Sequence, residues 1–419
     1  MNKEIKLSQK LDKNDPLKDF KKEFINNKNE IYLDGNSLGK LPKLSKNKVK
    51  HVLEHEWGNN LINSWNNHWL ATIDRISFKL ERLFNTSNDE IIIGESTSVY
   101  LYQILMALSN SNRYNHHFIS DNLNFPSDLY ILSGICETKR ESTSTIINYY
   151  SDIEANVDLL KTTIQNNPGI ICLSLVTYKS SWIYPMKELN EWALKHNSII
   201  VWDLSHAAGV VHIDLKKTKT LAAVGCTYKF LNGGPGSPAY LYVEKNILKR
   251  IKNPISGWFG HSNPFSFSNK FNQAKGIKKF SNGTPSILSI TPIEIGIDLI
   301  LKANTKVIEA KSKKQSEFLK CLIQKFLIPL DFKIESPANP LNRGSHISIS
   351  HPESWRICKS LQNGPLKIIP DYRPPKYIRI GISPLYISFE DLTKTVIKIT
   401  DIVNKKKYLK YSKEKPKIT

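Results

Sequence analysis

Two short apolar runs, each followed by a charged residue, constrain the fold of this chain more than any other feature of its sequence. Residues 199–202 are four consecutive apolar residues, a pattern that predicts a buried strand, and Asp203 follows them directly. Residues 221–226 form a second, mostly apolar run, which is followed by Lys229. In open α/β sheets, ligands bind beyond the carboxyl ends of the strands. Asp203 and Lys229 are therefore expected at one ligand-binding edge of a sheet.

An aspartate and a lysine on neighbouring strand ends match the needs of the cofactor pyridoxal 5'-phosphate. The lysine forms a Schiff base with the cofactor aldehyde, and the carboxylate keeps the pyridine nitrogen protonated. Each residue alone has an ordinary explanation, because aspartates favour turns and most lysines are solvated. The glycine-rich turn at residues 232–236 strengthens the pair, since it lets backbone approach Lys229 closely. His206, three residues after Asp203, either faces the cofactor or is a structural histidine.

Composition excludes several other classes of protein. The 419 residues are 40% hydrophobic and 23% charged, which predicts a soluble protein of more than one domain. The chain starts without the apolar segment of a signal peptide, and no run reaches membrane-spanning length, so we expect a cytoplasmic protein without a membrane partner. Five scattered cysteines predict reduced thiols and no metal site.

The net charge of +21 raises nucleic-acid binding as an alternative function. The lysines are spread along the chain, however, and the clearest basic cluster is the tail at residues 405–417, which we interpret as a solvated terminus. We therefore expect no nucleic-acid partner. The positive field still favours an anionic substrate or cofactor.

Strands and helices alternate between residues 89 and 245, which predicts a mainly parallel sheet with right-handed crossovers. Ser96, Thr97 and Ser98 stand between the strand at residues 89–94 and a helical pattern. Hydroxyl residues at such a junction cap the helix, and the helix N-terminus also binds phosphate through its free N–H groups.

Several segments together resemble the kynureninases, fold-type-I pyridoxal-phosphate enzymes of the aminotransferase class V group. The resemblance extends from about residue 32 to about residue 392. It is carried by residues 34–39, 125–128, 202–209, 225–236, 257–261 and 283–288. It implies a mainly parallel seven-stranded sheet in a large cofactor-binding domain, residues 46–298. A smaller C-terminal α+β domain at residues 299–419 is joined by an N-terminal segment, residues 1–45.

The resemblance also implies roles for individual residues. Lys229, Tyr228 and Asp203 are the catalytic candidates; Tyr228 either transfers protons or bonds the phosphate. The cofactor-binding candidates are Thr97, Ser98, Phe125, Pro126, Ser127, Asp128, Ser174, Asp203, His206, Tyr228, Lys229, Trp258 and Thr284. The substrate-binding candidates are Ser37, Trp65 and Arg379. Because Trp258 and Thr284 are expected to reach the site of the opposite subunit, the resemblance predicts a homodimer.

Arg379 lies on an alternating strand, residues 377–380, and its planar fork suits the α-carboxylate of an amino-acid substrate. The alternative is an ion pair with a carboxylate of its own domain. A further expectation is one continuous helix over residues 298–326, bridging the two domains.

The activity that the resemblance implies is hydrolysis of L-kynurenine, or of its 3-hydroxy form, to an anthranilate and L-alanine. The pathway would be tryptophan degradation or NAD biosynthesis. The alternative is another class V enzyme, such as a cysteine desulfurase or selenocysteine lyase. Those enzymes need a reactive cysteine on a loop, whereas Cys321 and Cys358 lie in helical patterns.

Overall fold

Two β-sheets with flanking helices make up the fold in the computed structural model, which describes residues 2–111 and 113–414. The strands are β1 (Glu30–Leu33), β2 (Ile91–Ile93), β3 (His117–Asp121), β4 (Thr143–Ile147), β5 (Ile170–Ser174), β6 (Ile199–Asp203), β7 (Ala222–Gly225), β8 (Tyr240–Val243), β9 (Lys333–Ile334), β10 (His346–Ser350), β11 (Lys367–Arg373) and β12 (Tyr377–Gly381). The α-helices are α1 (Asn2–Lys13), α2 (Lys43–His51), α3 (Leu70–Phe84), α4 (Thr97–Ser109), α5 (Pro126–Thr138), α6 (Val157–Asn166), α7 (Met186–Lys195), α8 (Lys245–Leu248), α9 (Ile287–Ala303), α10 (Thr305–Phe326), α11 (Ser354–Leu361) and α12 (Phe389–Asn404).

The larger sheet has seven strands in the order β2-β8-β7-β6-β5-β3-β4. β8 pairs antiparallel with β2 and β7, and the other neighbouring pairs are parallel. The predicted mainly parallel seven-stranded sheet is thus confirmed. Every residue of β5, β6 and β7 is buried. Strands covered on both faces need nearly continuous apolar runs, which is the pattern that the sequence shows around Asp203.

The smaller sheet has the order β1-β11-β12-β10-β9. Its edge strand β1 comes from the N-terminal segment and pairs parallel with β11. Asp12 of α1 accepts hydrogen bonds from the first two backbone N–H groups of α12, at 2.8 and 2.9 Å. A carboxylate at that position satisfies helix N–H groups that have no partner within the helix. The domain boundaries at residues 45 and 298 stay a prediction.

The predicted continuous helix over residues 298–326 is wrong, because the chain forms two helices there. α9 ends at Ala303 and α10 begins at Thr305, with Asn304 at φ 67° between them. Asparagine tolerates positive φ better than most residues, and the Asn304 side chain caps α10 by accepting from the Lys306 N–H at 3.0 Å. Among the described residues, no helix combines the length and apolar character that a membrane span requires.

Candidate active site

A cavity of about 370 Å³ opens beyond the carboxyl end of β6 and the segment after β7. Its wall brings together eight of the residues predicted from sequence, which come from four separate stretches of chain. These are Thr97, Ser98, Phe125, Ser127, Asp128, Asp203, Tyr228 and Lys229. The cavity lies where the topology of a parallel sheet places ligands.

Asp203 is the last residue of β6 and is buried. Its Oδ1 accepts hydrogen bonds from the Ser205 backbone N–H at 2.9 Å and from the Ser205 hydroxyl at 2.5 Å. Burial raises the pKa of Asp203, and the positive charge of Lys229 opposes that shift. Oδ2 accepts no hydrogen bond from the described residues, so the carboxylate is oriented by Ser205 and keeps one oxygen for a ligand.

Lys229 is held by a glycine-rich turn after it and by a close backbone contact before it. The glycine-rich turn after it adopts positive φ at Asn232, Gly234 and Gly236, a conformation that suits asparagine and glycine. Before it, the Tyr228 carbonyl accepts from the Gly39 N–H at 2.8 Å. A Cβ at Gly39 would collide with the Lys229 carbonyl oxygen, so only glycine lets this segment approach.

The Lys229 amine points into the cavity, where aromatic and imidazole groups surround it. Its Nζ lies 3.1 Å from His206 Nε2 and 5.8 Å from the centroids of the Phe125 and Tyr228 rings. Burial and the charge of Lys229 lower the pKa of His206 well below its ordinary value. His206 is therefore neutral at physiological pH and can accept from the amine. Its Nδ1 has no hydrogen-bond partner among the described residues.

Asp128 is a second buried carboxylate in the cavity wall. Its Oδ2 has no hydrogen-bond partner within the described residues. Burial and the nearby charge of Asp203 raise its pKa well above the ordinary value. Burying an acceptor that receives no hydrogen bond costs free energy. A cationic or N–H-bearing ligand group that contacts Asp128 and Asp203 would remove this cost.

Another part of the cavity wall is rich in hydroxyl and N–H donors. α4 begins at Thr97, and the Ser96 hydroxyl caps it by accepting from the Val99 N–H at 3.3 Å. Ser98 and Ser127 hydroxyls lie 3.0 Å apart, and Ser237 also lines this wall. A helix N-terminus ringed by hydroxyls suits a phosphate. Pyridoxal phosphate has a phosphate, an aldehyde and a basic ring nitrogen, and the cavity has a matching group for each.

Two cofactor candidates stand just outside the cavity wall. Pro126 is the first residue of α5, where proline's fixed φ suits the helix start. Ser174, at the end of β5, donates its hydroxyl to Asn124 Oδ1 at 2.5 Å. That same Oδ1 accepts from the Phe125 N–H at 2.9 Å, so Ser174 contacts the residue that orients Phe125. Asn124 was not among the residues predicted from sequence; its position directly before the Phe-Pro-Ser-Asp motif was the available signal.

Trp65, Trp258 and Thr284 lie away from this cavity. Trp65 packs against Trp69 and Phe259, with ring centroids 5.1 and 6.1 Å apart. Trp258 is partly exposed and its indole N–H donates to the Pro264 carbonyl at 2.6 Å. Thr284 lines a neighbouring cavity of about 690 Å³. Within one chain these three candidates do not meet Lys229. For Trp258 and Thr284 this is expected, because both were predicted to serve an opposite subunit; the roles of all three stay predictions.

Arg379 is buried at the edge of the site, with a side chain only 1% exposed. It forms an ion pair with Asp371, its partner residue on β11. It also donates to the Tyr178 carbonyl at 2.6 Å and to the Ser37 hydroxyl at 3.2 Å. The ion pair within its own sheet, one of the two predicted arrangements, is thus present. Binding of a substrate carboxylate stays a prediction.

Tyr178 connects this arginine to the cavity, because its ring meets the Phe125 ring edge-on at 5.3 Å. Tyr178, Asp371 and Ser205 were not predicted as site residues from the sequence. Ser205 stands inside the Asp-Leu-Ser-His stretch and could have been found there. Asp371 could not, because only strand pairing brings it to Arg379.

Comparison with known proteins agrees with this geometry. The model of the family "Aminotransferase class-V" matches residues 31–353, and that of "Kynureninase C-terminal domain" matches residues 308–399. A protein named kynureninase from Burkholderia mallei (strain SAVP1) is 33% identical over 401 residues, covering 94% of each chain. The chain belongs to the kynureninase family. A second family member, the kynureninase of Pseudomonas fluorescens, is 30% identical over 401 residues, with the same 94% coverage of each chain.

Solved structures show the fold of this kynureninase-family chain in more distant proteins. An apo cysteine desulfurase from Thermococcus onnurineus NA1 superposes with a TM-score of 0.80 at 15% identity, covering 92% of this chain and 98% of that one. A K223A mutant of C-DES with glycine covalently linked to its PLP cofactor gives a TM-score of 0.79 at 16% identity, with coverages of 88% and 96%. These likenesses establish the predicted fold-type-I architecture, and they do not bear on substrate.

Proposed function

We propose that this protein is a pyridoxal-phosphate-dependent hydrolase that splits L-kynurenine, or its 3-hydroxy form, into an anthranilate and L-alanine. The observation that carries the proposal is the convergence of Lys229, two buried carboxylates and a hydroxyl-lined helix end on one cavity. That convergence occurs in a chain of the kynureninase family. The role in tryptophan degradation or NAD biosynthesis, and the cytoplasmic location, belong to this proposal.

Different residues of the cavity would hold different groups of the cofactor. Thr97, Ser98 and Ser127 would hold the phosphate, and Lys229 is the residue that would attach to the aldehyde. Asp203, oriented by Ser205, would keep the ring nitrogen protonated. When bound, the cofactor supplies an electron-withdrawing ring that stabilises negative charge developing on the substrate.

Lys229 and Tyr228 are the residues that we assign to proton transfer. Once its amine is free, Lys229 is placed to remove the proton from the substrate Cα, and neutral His206 lies 3.1 Å away to accept a hydrogen bond from it. The nearby Cys226 thiol and burial raise the pKa of Tyr228. Tyr228 therefore keeps its proton at neutral pH, which suits a proton donor after the Cβ–Cγ bond has broken.

Substrate recognition is assigned to the segment around Ser37 and to Arg379. The Ser37 hydroxyl accepts from Arg379, and the Tyr178 carbonyl connects the same guanidinium to the aromatic wall of the cavity. A positive group at this place suits the α-carboxylate of an amino-acid substrate. Trp65 is assigned to the aromatic end of the substrate.

The positions of the cysteines argue against the alternative, a cysteine desulfurase or selenocysteine lyase. Cys321 is in α10 and Cys358 is buried in α11, as the sequence predicted. Cys172 and Cys226 are also buried, and Cys136 is in α5. A desulfurase needs an accessible thiolate on a loop at the site, and none of the five has that placement.

We also propose that the active form is a homodimer. Trp258, Phe265 and Phe267 are large exposed aromatic side chains that cluster on one surface, with ring centroids 5.5 and 6.3 Å from that of Trp258. Phe265 also lines the 690 Å³ cavity next to Thr284. Clusters of exposed aromatic side chains mark protein contacts. A second copy of the chain would cover this cluster, and Trp258 and Thr284 would then lie beside the cofactor site of that second copy.

The test compares the rates of the purified, cofactor-loaded protein on L-kynurenine, 3-hydroxy-L-kynurenine and L-cysteine. We expect an anthranilate from at least one of the first two and no sulfide from cysteine. A loaded protein whose visible absorbance disappears with borohydride, but which releases no anthranilate, would keep the cofactor assignment and contradict the substrate assignment.

A further inference from the structure

Asn124 is a buried amide whose hydrogen-bonding groups are all used within the protein. Its Nδ2 donates to the Ser120 hydroxyl at 3.1 Å and to the Cys172 carbonyl at 3.2 Å. Its Oδ1 accepts from the Ser174 hydroxyl at 2.5 Å and from the Phe125 N–H at 2.9 Å. An asparagine side chain has two N–H groups and one carbonyl oxygen with two lone pairs, so these bonds use its full capacity.

The chemistry of these partners allows the amide only one orientation. The Cys172 carbonyl can only accept and the Phe125 N–H can only donate, so turning the amide over would set like groups against each other. The Ser120 hydroxyl already donates to the Cys172 carbonyl at 2.7 Å, and it therefore accepts from Asn124. A buried polar network in which every member is satisfied is rigid.

The backbone of Asn124 is fixed to the large sheet as well. Asp121, the last residue of β3, accepts through Oδ1 from the Leu123 and Asn124 backbone N–H groups at 3.0 and 3.1 Å. Its Oδ2 accepts from the Tyr184 hydroxyl. The partners of the amide, apart from Phe125, lie on β3 and β5, which are parallel neighbours in the sheet. Two strands therefore set the position of Asn124.

This position is passed on to the aromatic ring of Phe125. The Phe125 N–H is bonded to Asn124, and Pro126 after it begins α5 with a restricted φ, so the Phe125 backbone is held on both sides. The ring lies 5.8 Å from the Lys229 amine and meets the Tyr178 ring edge-on at 5.3 Å. A shift of Asn124 would therefore move an aromatic wall of the cavity beside Lys229.

We propose that Asn124 is a positioning residue that fixes the Phe125 ring against the ring of the bound cofactor. Asn124 is not part of the cavity wall, so its effect on the cofactor is transmitted through Phe125. The tilt and distance of an aromatic side chain decide how well it packs on another ring. The inference rests on the proposed function for the cofactor alone, and it is independent of which substrate the protein cleaves.

The experiment measures two properties of the loaded protein other than turnover. The Kd of pyridoxal 5'-phosphate is obtained by equilibrium dialysis of the full-length protein. The visible circular dichroism per bound cofactor, recorded at saturation, reports how the cofactor ring is held in its asymmetric site. For Asn124→Ala we expect the Kd to rise about tenfold and the circular dichroism to fall.

A double-mutant cycle tests whether Asn124 acts through Phe125. Phe125→Leu removes the aromatic ring and should weaken cofactor binding by itself. Adding Asn124→Ala to Phe125→Leu should change the Kd by less than about twofold, because no ring remains to be positioned.

Asn190→Ala is a matched control. Asn190 is an equally buried amide, in α7, that donates to the Thr218 carbonyl and accepts from the Trp202 indole N–H, both at 2.8 Å. It is not part of the cavity wall. We expect this variant to lose melting temperature as Asn124→Ala does, while its cofactor Kd stays within about a factor of two of wild type.

Ser120→Ala is a milder variant, used in the same cycle if Asn124→Ala does not fold. It removes one of the two acceptors of the Asn124 amide and leaves the bond to Phe125 in place. We expect it to raise the Kd about threefold in wild type and to leave it unchanged in Phe125→Leu.

Two results would overturn the proposal. One is a cofactor Kd and circular dichroism in the variant equal to those of wild type. The other is an equal rise in the Kd with and without the Phe125 ring, which would show that Asn124 acts by another route, such as Ser174. A wild-type protein that binds no cofactor would instead refute the proposed function itself, and a wrong substrate assignment would change none of these measurements.

Discussion

Replacing Arg379 by lysine compares the contribution of this buried side chain to protein stability with its contribution to substrate binding. Arginine here joins three segments: Asp371 on β11, the Tyr178 carbonyl and Ser37. A lysine ammonium is a point charge that can keep the ion pair with Asp371 but cannot reach in three directions with a planar fork. We expect Arg379→Lys to lose the bonds to Tyr178 and Ser37.

The magnitudes follow from these lost contacts. Each hydrogen bond to a charged group contributes about 1.5–3 kcal/mol, so loss of substrate positioning should lower kcat/KM by about tenfold to a hundredfold. The free energy of unfolding should fall by a similar amount per bond, lowering the melting temperature by several degrees. The assay measures kcat, KM and melting temperature on the same preparations.

Arg356→Lys provides a matched control in the same part of the fold. Arg356 is also buried, and it donates to the Tyr411 and Leu409 carbonyls at 2.8 Å, away from the cavity. We expect this variant to lose melting temperature with unchanged kcat/KM. If Arg379→Lys behaves in the same way, with a lower melting temperature and kcat/KM within a factor of two of wild type, Arg379 is structural and the reasoning is refuted.

Three further predictions concern the cofactor site, the assembly and pH. Lys229→Ala should abolish turnover, and Asp203→Ala should bind cofactor but lose at least about a hundredfold in kcat; near-normal rates in either would remove that residue from its role. Light scattering should show a dimer, and a fully active monomer would contradict the placement of Trp258 and Thr284 at a partner site. Burial and the charge of Arg379 lower the pKa of His346 well below its ordinary value, so below about pH 6.5 the unfolded chain binds a proton that the folded chain does not. The stability advantage of wild type over His346→Gln, measured by denaturant unfolding, should therefore shrink as the pH falls from 7 to 5; a constant difference would show that His346 titrates normally.

The sequence by itself determined the large sheet and the cofactor end of the site. Asp203 ends β6, Lys229 lies in the segment that follows β7, and the hydroxyls of residues 96–98 stand at the start of α4. Their positions in space follow from local structure, because the carboxyl ends of parallel strands meet at one edge of a sheet. Buried parallel strands also need continuous apolar runs, and these are visible in one sequence without an alignment.

Only the tertiary structure decided the substrate end. Ser37 and Arg379 are 342 residues apart, and they meet because β1 of the N-terminal segment joins the sheet that contains β11 and β12. Asp371 faces Arg379 through the register of β11 against β12, and that register depends on which faces become buried when the sheet packs. The contacts of Arg379 with Asp371, the Tyr178 carbonyl and Ser37 are consequences of this packing. No local pattern encodes these contacts, because Tyr178 and Ser37 come from parts of the chain that are distant from Arg379.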